Sequence, residues 1–419
     1  MADIKERVSL RSMPFVKAET PLVILFTLLL VGAGLLGAFS TLGFLIIGLF
    51  FVVTRFPYVL AGCRINWPLL LYPLLGLLST VWADYPKIAF IYSLQLLVSI
   101  VLFIAVIYTV SFKKIILAAA ISLSCVMFLS LFSHNTVTIS FTGEVVRVGL
   151  FGSKNNMAGS AATAMLCAIA VFMIFRESVM IRALAVACVL LSAATFLQAN
   201  SLGTTVSVFF FIGITFFLYM YSKSQISLST KTIQLMIFVF VIIFGLTLCV
   251  YMFDYSAFEE FMYSIGKDPT LTGRTDIWLI AMESFPEHMW GGVGRGSYFQ
   301  ADNIGAIEIW ETHFVEIGAP FGFHNTYIMG LIEQGIPGFL IMCLVFFKGL
   351  QGVIRGAIFN MTEALAFSTC IFLITFSKTF IETLGFAQFS YGTFMLCWSW
   401  IVLTKGTYFD QYMRIRVVL

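Results

Sequence analysis

The chain has 419 residues, of which 60% are hydrophobic and 11% are charged, with a net charge of +3 and a mean hydropathy of +0.99. A soluble domain of this length could not keep so apolar a composition dispersed, so the composition excludes soluble enzymes and gives no support to nucleic-acid binding. It predicts an all-α integral membrane protein held in a lipid bilayer.

About twelve apolar runs with few or no charges follow one another along the chain, and each predicts a membrane-spanning helix. The second and third runs are shorter than the ~20 residues that a straight crossing needs, so these helices are expected to be tilted or partly re-entrant. The first run is interpreted as an uncleaved span and not as a signal peptide, because further spans and no soluble domain follow it. The runs cover residues 20–38, 41–54, 68–82, 88–110, 115–132, 156–175, 183–198, 203–221, 232–253, 325–347, 361–377 and 384–404.

The charged residues are distributed unevenly among the connecting segments. If the N-terminus is cytoplasmic, most lysines and arginines fall in cytoplasmic segments, and most aspartates and glutamates fall on the other side. The positive-inside rule therefore predicts cytoplasmic termini and a large outer loop. The predicted organisation is a bundle of spans 1 to 9 (residues 1–253), a loop with short helices (residues 254–323) and spans 10 to 12 (residues 324–419).

Some basic residues remain on the predicted outer side, and those near glycines are candidates for anion binding. Arg147 and Lys154 flank a glycine-containing segment before the sixth span, and Arg274 and Arg295 lie in the large loop. Arginine binds phosphate through paired N–H donors, and neighbouring glycines let a ligand approach the backbone, so these groups suit a diphosphate. The opposite interpretation, that an outer cation only offsets nearby acids, is preferred for Lys87, Lys267 and Lys378.

Asn155 and Asn156 stand where the sixth span begins, and either side chain could cap that helix. The unsatisfied N–H groups of the first turn would then face the same side as Arg147. We therefore expect Asn155 to contribute to substrate binding together with Arg147 and Lys154. The eight cysteines show no CxxC motif and no ligand spacing with histidine, so no metal site is predicted.

The large loop carries the other candidates. The spacing of apolar residues predicts a short helix from Thr275 to about Phe285, and four glycines then bracket Arg295, which alone is a weak sign of phosphate binding. His324 and Asn325 precede a helical run from Thr326 to Gln334 that is expected to end at Gly335. A helix N-terminus favours an anion, and a histidine there can accept a proton near neutral pH. His324 is therefore a candidate catalytic residue, and Asn325 is a candidate substrate-binding residue. His288 and His313 lack such surroundings and are interpreted as ordinary loop histidines.

Four motifs, in this order and spacing, resemble the superfamily of O-antigen ligases and polysaccharide polymerases. The resemblance implies a glycosyltransferase in the bacterial inner membrane, with its active site on the periplasmic face. The donor would be an undecaprenyl-diphosphate-linked oligosaccharide, and the reaction would use no metal ion or cofactor and would invert the anomeric carbon. The motifs are Gly152-Ser-Lys-Asn-Asn-Met-Ala158, Thr272-Gly-Arg-Thr-Asp-Ile-Trp278, Gly292-Val-Gly-Arg-Gly296, and His324-Asn-Thr-Tyr327 through Glu333-Gln-Gly-Ile-Pro-Gly338.

The resemblance also implies roles for single residues. It matches Arg274, and by position Arg295, to arginines that stabilise the leaving diphosphate, and it matches His324 to a histidine that accepts the acceptor's proton or orients its hydroxyl. Arg147 matches an arginine of an earlier outer loop more loosely. The serine and arginine pair that the family often has after the seventh span is incomplete here, because Ser201 is followed by leucine.

The acceptor stays open. A polymerase would extend another lipid-linked repeat of exopolysaccharide or O-antigen beside other assembly and export proteins, whereas a ligase would transfer the glycan to lipid A core. The segment Gly152-Ser-Lys-Asn155 and the short loops resemble the exopolysaccharide polymerases of this superfamily more than its ligases, and this resemblance favours a polymerase. A lipid-linked oligosaccharide transporter is the alternative from another class. Carriers usually show internal repeats with polar groups near mid-membrane, whereas the candidate chemistry here lies mostly in one outer loop.

Overall fold

The computed structural model describes residues 15–138, 145–251, 260 and 273–405. These residues are mostly helical, with one short antiparallel hairpin that pairs Thr136 with Arg147. The elements are α1 (Phe15–Val31), α2 (Ala33–Thr54), α3 (Phe56–Ile65), α4 (Pro68–Ser79), α5 (Pro86–Thr109), α6 (Phe112–Phe132), β1 (Thr136–Thr138), β2 (Val145–Arg147), α7 (Lys154–Ile174), α8 (Val179–Ala199), α9 (Leu202–Lys223), α10 (Leu228–Tyr251), α11 (Arg274–Glu283), α12 (Ile304–Thr312), α13 (Thr326–Ile358), α14 (Glu363–Lys378) and α15 (Tyr391–Lys405).

The predicted class, an all-α membrane protein, is confirmed, but the described residues do not reach twelve spans. They contain 7 helices long and apolar enough to cross a bilayer, or 8 if α3 and α4 together form one bent span. The apolar runs at 361–377 and 384–404 form helices of 16 and 15 residues, which are shorter than a straight crossing requires. The start of the predicted loop, with Asp254 and Lys267, lies outside the described residues apart from Glu260.

Breaks between the first helices differ from the predicted boundaries. The first apolar run is divided at Gly32, and a second irregularity follows at Gly37, whose φ of 52° is in the left-handed region. The third run is preceded by α3, which the apolar pattern did not predict, and α3 meets α4 at an angle of 87°. Short helices broken by glycine bury their polar backbone only when neighbouring segments cover the breaks.

Helix α7 lies in the middle of the bundle, packed between α6 and α8. Its inner surface is made of small residues, including Ala158, Ala161 and Ala162, which are 1% exposed or less. Small side chains let helix backbones approach closely. In a membrane the lipid is as apolar as the helices, so helices associate through this close packing and not through hydrophobic burial. The N-terminus of α7 is therefore held firmly at one end of the bundle, and this end contains the candidate site.

Helix α13 does not end at Gly335, as the sequence predicted, but continues through a break at that residue. Gly335 has φ 64° and ψ −164°, and the helix resumes with Pro337 in its next turn. The break frees backbone groups that the glycine-rich loop satisfies: Val293 and Gly294 donate N–H groups to the carbonyls of Ile332 and Glu333, at 2.9 Å each. Two sequence motifs thus form one interlocked unit.

This interlock makes a stability prediction for Gly292. A Cβ atom added there would lie 2.3 Å from the backbone nitrogen of Gln334, and the residue has a φ of +65°. Gly292→Ala should therefore destabilise the protein by roughly 2 kcal/mol, measured as a lower midpoint of thermal unfolding in detergent. Gly203→Ala is the matched control, since a Cβ there meets nothing within 4 Å. Equal midpoints for the two variants would contradict the interlock.

Candidate functional site

The side chain of Glu382 joins three of the polar residues that surround the N-termini of α7 and α13. Arg274 Nη2 lies 2.7 Å from Oε1 of Glu382, and Asn155 Nδ2 donates to the same oxygen at 3.0 Å. His324 Nδ1 lies 3.0 Å from the other oxygen, Oε2. The carboxylate is 11% exposed, so these contacts take place in a largely desolvated position where charge-assisted hydrogen bonds are strong.

The segment that carries Glu382, residues 379–390 between α14 and α15, is fixed to the start of α13. Thr326 Oγ1 donates to the carbonyl of Glu382 and accepts from the N–H of Leu384, at 3.0 Å each. The backbone N–H of Thr326 donates to the carbonyl of Thr379 at 2.9 Å. The first helical residue after His324-Asn325 therefore sets the position of the carboxylate opposite His324.

Helix α11 is joined to the His324 segment through Trp278. This residue lies one turn after Arg274, and its indole Nε1 donates to the carbonyl of Phe323 at 2.8 Å. Ile277 and Ala281, 2% and 0% exposed, bury the inner face of the helix. The short helix predicted from Thr275 is confirmed with bounds Arg274–Glu283. One rigid element therefore positions the arginine and also supports the backbone before His324.

His324 has a backbone conformation that few residues other than glycine adopt, with φ 49°. Its Nδ1 contacts a carboxylate, which can only accept a hydrogen bond when ionised, so the hydrogen must be on Nδ1. In the neutral ring Nε2 is then left as the lone-pair nitrogen, the form that can accept a proton from a hydroxyl. The side chain is 38% exposed, which leaves the ring open to a substrate.

Glu382 stays ionised over a wide pH range. Burial alone would raise its pKa, but the hydrogen bond from His324, the charges of Arg274 and His324 and the amide of Asn155 together lower the pKa from 4.5 to about 2. Because the pKa of Glu382 is lower in the folded state than in the unfolded state, the ionised carboxylate stabilises the fold at pH values above the pKa of the unfolded state. This contribution is lost as the pH falls toward 2.

The ionised carboxylate gives a pH-dependent prediction for stability. Glu382→Gln should lower the thermal midpoint most at neutral pH, and the difference from the unchanged protein should shrink as the pH drops from about 4.5 toward 2. Unfolding curves of both proteins between pH 3 and pH 8 would measure this. A difference that is constant with pH would mean that the charge of Glu382 does not stabilise the fold.

Arg295, predicted to act beside Arg274 and His324, lies among other partners. The residue is 4% exposed, and its guanidinium donates through Nη2 to the carbonyl of Phe386 at 2.6 Å. Its Nη1 lies 3.8 Å from Oε2 of Glu333, an ionic contact too long for a hydrogen bond, and the group stacks over the ring of Tyr72 at 5.3 Å. No contact among the described residues joins Arg295 to Glu382. It does reach the same 379–390 segment, through Phe386.

Arg147 is bound to the end of a helix. Its Nε and Nη2 donate to the carbonyls of Ser133 and Leu131, at 3.0 Å and 2.6 Å, in the last turn and cap of α6. A cation at this position complements the partial negative charge of a helix C-terminus. Among the described residues, no hydrogen bond or ion pair joins Arg147 to the Glu382 cluster.

The predictions for the two asparagines have different outcomes. Ser153, and not Asn155 or Asn156, caps α7, because its Oγ accepts from the N–H of Asn156. Asn155 is free of the capping role and binds Glu382, while its Oδ1 accepts from Ser201 Oγ at 2.8 Å. Lys154 occupies the first position of α7.

Asn325 acts mainly on the backbone. Its Oδ1 accepts from the N–H groups of Tyr327 and Ile328, which makes it the N-cap of α13, and its Nδ2 donates to the carbonyl of Phe380. It therefore fixes the helix start that carries His324, and it reaches the Glu382 segment only through backbone atoms.

Sequence reasoning missed Glu382, which is central to the cluster. Ser201 lies in the polar turn already noted after the seventh span, and its Oγ donates to Asn155. Glu382 lies in Thr379-Phe-Ile-Glu-Thr383, outside the four motifs that carry the resemblance. The available signal was an acidic residue on the side where the candidate cations were placed. Its pairing with Arg274, 108 residues earlier, could not be read from the chain alone.

Residues 186–343 match the family model described as O-Antigen ligase. The chain is also 22% identical over 322 residues to the exopolysaccharide production protein ExoQ of Rhizobium meliloti (strain 1021), an alignment covering 76% of this chain and 72% of that protein. The two findings confirm the predicted resemblance to the superfamily of O-antigen ligases and polysaccharide polymerases. The family match includes Arg274, Arg295 and His324 and ends before Glu382.

Proposed function

Because the chain resembles the O-antigen ligases and polysaccharide polymerases, we propose that it is a glycosyltransferase of surface polysaccharide synthesis. It transfers a glycan from an undecaprenyl-diphosphate-linked oligosaccharide to a hydroxyl group of an acceptor. The observation that carries the proposal is that Arg274 and His324, from separate motifs, meet at the carboxylate of Glu382. A cation that can stabilise a leaving diphosphate and a base that can accept the proton of an attacking hydroxyl thus contact the same carboxylate.

The proposed reaction is a single displacement at the anomeric carbon. The acceptor oxygen attacks while its proton passes to Nε2 of His324, and the bond between the anomeric carbon and the phosphate oxygen breaks. The electron pair of that bond leaves with the lipid diphosphate. Attack opposite the leaving group inverts the anomeric carbon. Glu382 holds the Nδ1–H of His324 and stabilises the imidazolium that forms.

Arg274 faces the charge that develops on the diphosphate. A guanidinium has five N–H donors, and the contacts among the described residues use one of them, on Glu382. The others can bind phosphate oxygens in pairs and stabilise them without a metal ion. We assign Asn155 to holding Glu382, Asn325 to positioning the start of α13, Arg295 to fixing the 379–390 segment and Arg147 to the end of α6. Lys154, the first residue of α7, is proposed to contact substrate.

The proposed location is the inner membrane of a bacterium, with both termini in the cytoplasm and the site facing the periplasm. The uneven distribution of basic residues between the connecting segments supports this orientation. Substituted-cysteine labelling with a membrane-impermeant reagent at Trp290, which is 74% exposed in the segment that leads to Arg295, tests it. Labelling in cells whose outer membrane alone is permeabilised is expected. Labelling only after the inner membrane is opened would reverse the orientation.

The acceptor distinguishes polymerase from ligase, and we propose the polymerase. The similarity to an exopolysaccharide production protein supports this choice. Purified protein with one defined lipid-linked repeat should give products of two or more repeats together with free undecaprenyl diphosphate. Products that appear only after lipid A core is added would identify a ligase. Movement of the intact donor across a proteoliposome membrane without any new glycosidic bond would identify a transporter.

A further inference from the structure

Lys378 is a buried cation that the mechanism above does not use. It is the last residue of α14 and is 8% exposed, at the end of the bundle that holds Glu382. Its backbone carbonyl accepts from the N–H of Glu382 at 2.8 Å, so the two residues belong to one helical turn. Within the described ranges, the ammonium group of Lys378 makes no hydrogen bond and no ion pair.

The nearby carboxylate makes no direct hydrogen bond or ion pair with this ammonium among the described residues. Glu382 is close enough to interact with the charge of Lys378, but Oε1 already accepts from Arg274 and Asn155 and Oε2 from His324. Arg274, Lys378 and the carboxylate of Glu382 sum to one positive charge, and a protonated His324 adds a second. A charge withdrawn from water without a partner is costly, so this arrangement favours the binding of an anion.

Gly159 shows that space has been left for the ammonium. A Cβ atom at this position would lie 2.6 Å from Nζ of Lys378, which is closer than real Cβ atoms come to other atoms. The hydrogen atom of glycine leaves room for the ammonium group. Gly159 follows Asn155 by four residues on α7, so both face the same side of the helix. The ammonium group is thus directed to the helix face that carries Asn155 and its Glu382 contact.

From these observations we propose that Lys378 binds the diphosphate of the lipid-linked donor together with Arg274. The inference rests on the proposed function for the identity of the ligand. Lysine supplies a point charge and arginine a planar pair of donors, so the two cations can hold different phosphate oxygens of one diphosphate. The leaving group then stays bound after the sugar has been transferred.

Binding of undecaprenyl diphosphate to the full-length protein in nanodiscs tests this proposal. Lys378→Met should weaken binding by about 10- to 100-fold, the usual value of a charge-assisted contact, and should leave binding of uncharged undecaprenol unchanged. Lys378→Arg should recover part of the affinity. Lys223→Met is the matched control, because Lys223 is exposed at the other end of α9 and bonded to Asn360. Inorganic pyrophosphate in place of the lipid distinguishes recognition of diphosphate alone from recognition that also needs the lipid.

Gly159→Ala is a second variant that keeps the lysine but displaces its flexible end. It should weaken diphosphate binding in the unchanged protein and should have no further effect when Lys378→Met is already present. Unchanged affinity in Lys378→Met, or equal losses for the diphosphate and the alcohol, would overturn the proposal. If the lipid binds in a Lys378-dependent way but no glycan is transferred, the proposed function fails and the binding site stands. If transfer occurs and Lys378→Met binds normally, the reverse holds.

Discussion

Arg274→Ala should lower the rate of glycosyl transfer about 100-fold, because removal of one preorganised donor to a developing negative charge typically costs about 3 kcal/mol. The residue starts α11, and its guanidinium is 14% exposed and bound to Glu382 at 2.7 Å. The inner face of α11 is held by Ile277 and Ala281, which the change does not touch. The loss should therefore appear in the turnover rate and not in the amount of folded protein.

The control for this change is Arg176→Ala. Arg176 is 70% exposed and pairs with Glu363, where α14 begins, at the end of the bundle away from the Glu382 cluster. Like Arg274→Ala, Arg176→Ala removes one arginine and one ion pair of 2.7 Å, but glycosyl transfer should continue at the normal rate. Arg274→Lys should retain part of the activity, since it keeps the charge but loses the paired donors. A normal rate of transfer by purified Arg274→Ala would contradict the proposal that Arg274 stabilises the leaving diphosphate.

Glu382→Gln should reduce the turnover number by at least about 100-fold, because a misoriented or wrong-tautomer histidine loses most of its value as a base. Glutamine has nearly the same shape, but it cannot stabilise an imidazolium, and Arg274 loses its ionic partner. The effect of Glu382 is exerted through His324, so the turnover number should fall while the KM for the donor changes much less.

Two comparisons separate this positioning role from a loss of structure. Glu382→Asp restores the charge and should recover part of the activity, whereas Glu382→Ala should not. The thermal midpoint of Glu382→Gln near pH 3 should approach that of the unchanged protein, because the carboxylate contributes less there. A Gln variant with full turnover would remove Glu382 from the mechanism.

The sequence predicted the residues that lie in recognisable local motifs. Arg274 follows a glycine and begins a short helix, and His324 precedes a capped helix, so composition and motif located both. Glu382 has no such surroundings, and its importance arises from contacts with Asn155, Arg274 and His324, which lie far away in the chain. Arg147 shows the reverse case, since a suitable arginine near glycines is bound by helix carbonyls once the hairpin forms.

The helices were predicted better than their ends. Apolar runs located the helices because burial of nonpolar side chains in lipid or core needs long apolar segments. The turn at Gly335 looked like a helix end, and it is a break inside α13 because the loop before Arg295 supplies hydrogen bonds to the freed carbonyls. The bend between α3 and α4 likewise depends on packing that no single run of residues reveals.

The central claim is that Arg274, His324 and Glu382 together transfer a glycan from a diphosphate lipid. Reaction of the purified protein with a defined undecaprenyl-diphosphate oligosaccharide, with products resolved by mass, tests it most directly. We predict longer lipid-linked products and equimolar release of undecaprenyl diphosphate, both lost in Arg274→Ala and Glu382→Gln and both kept in Arg176→Ala. Release or elongation that persists in the two site variants, or fails in the unchanged protein, would contradict the claim.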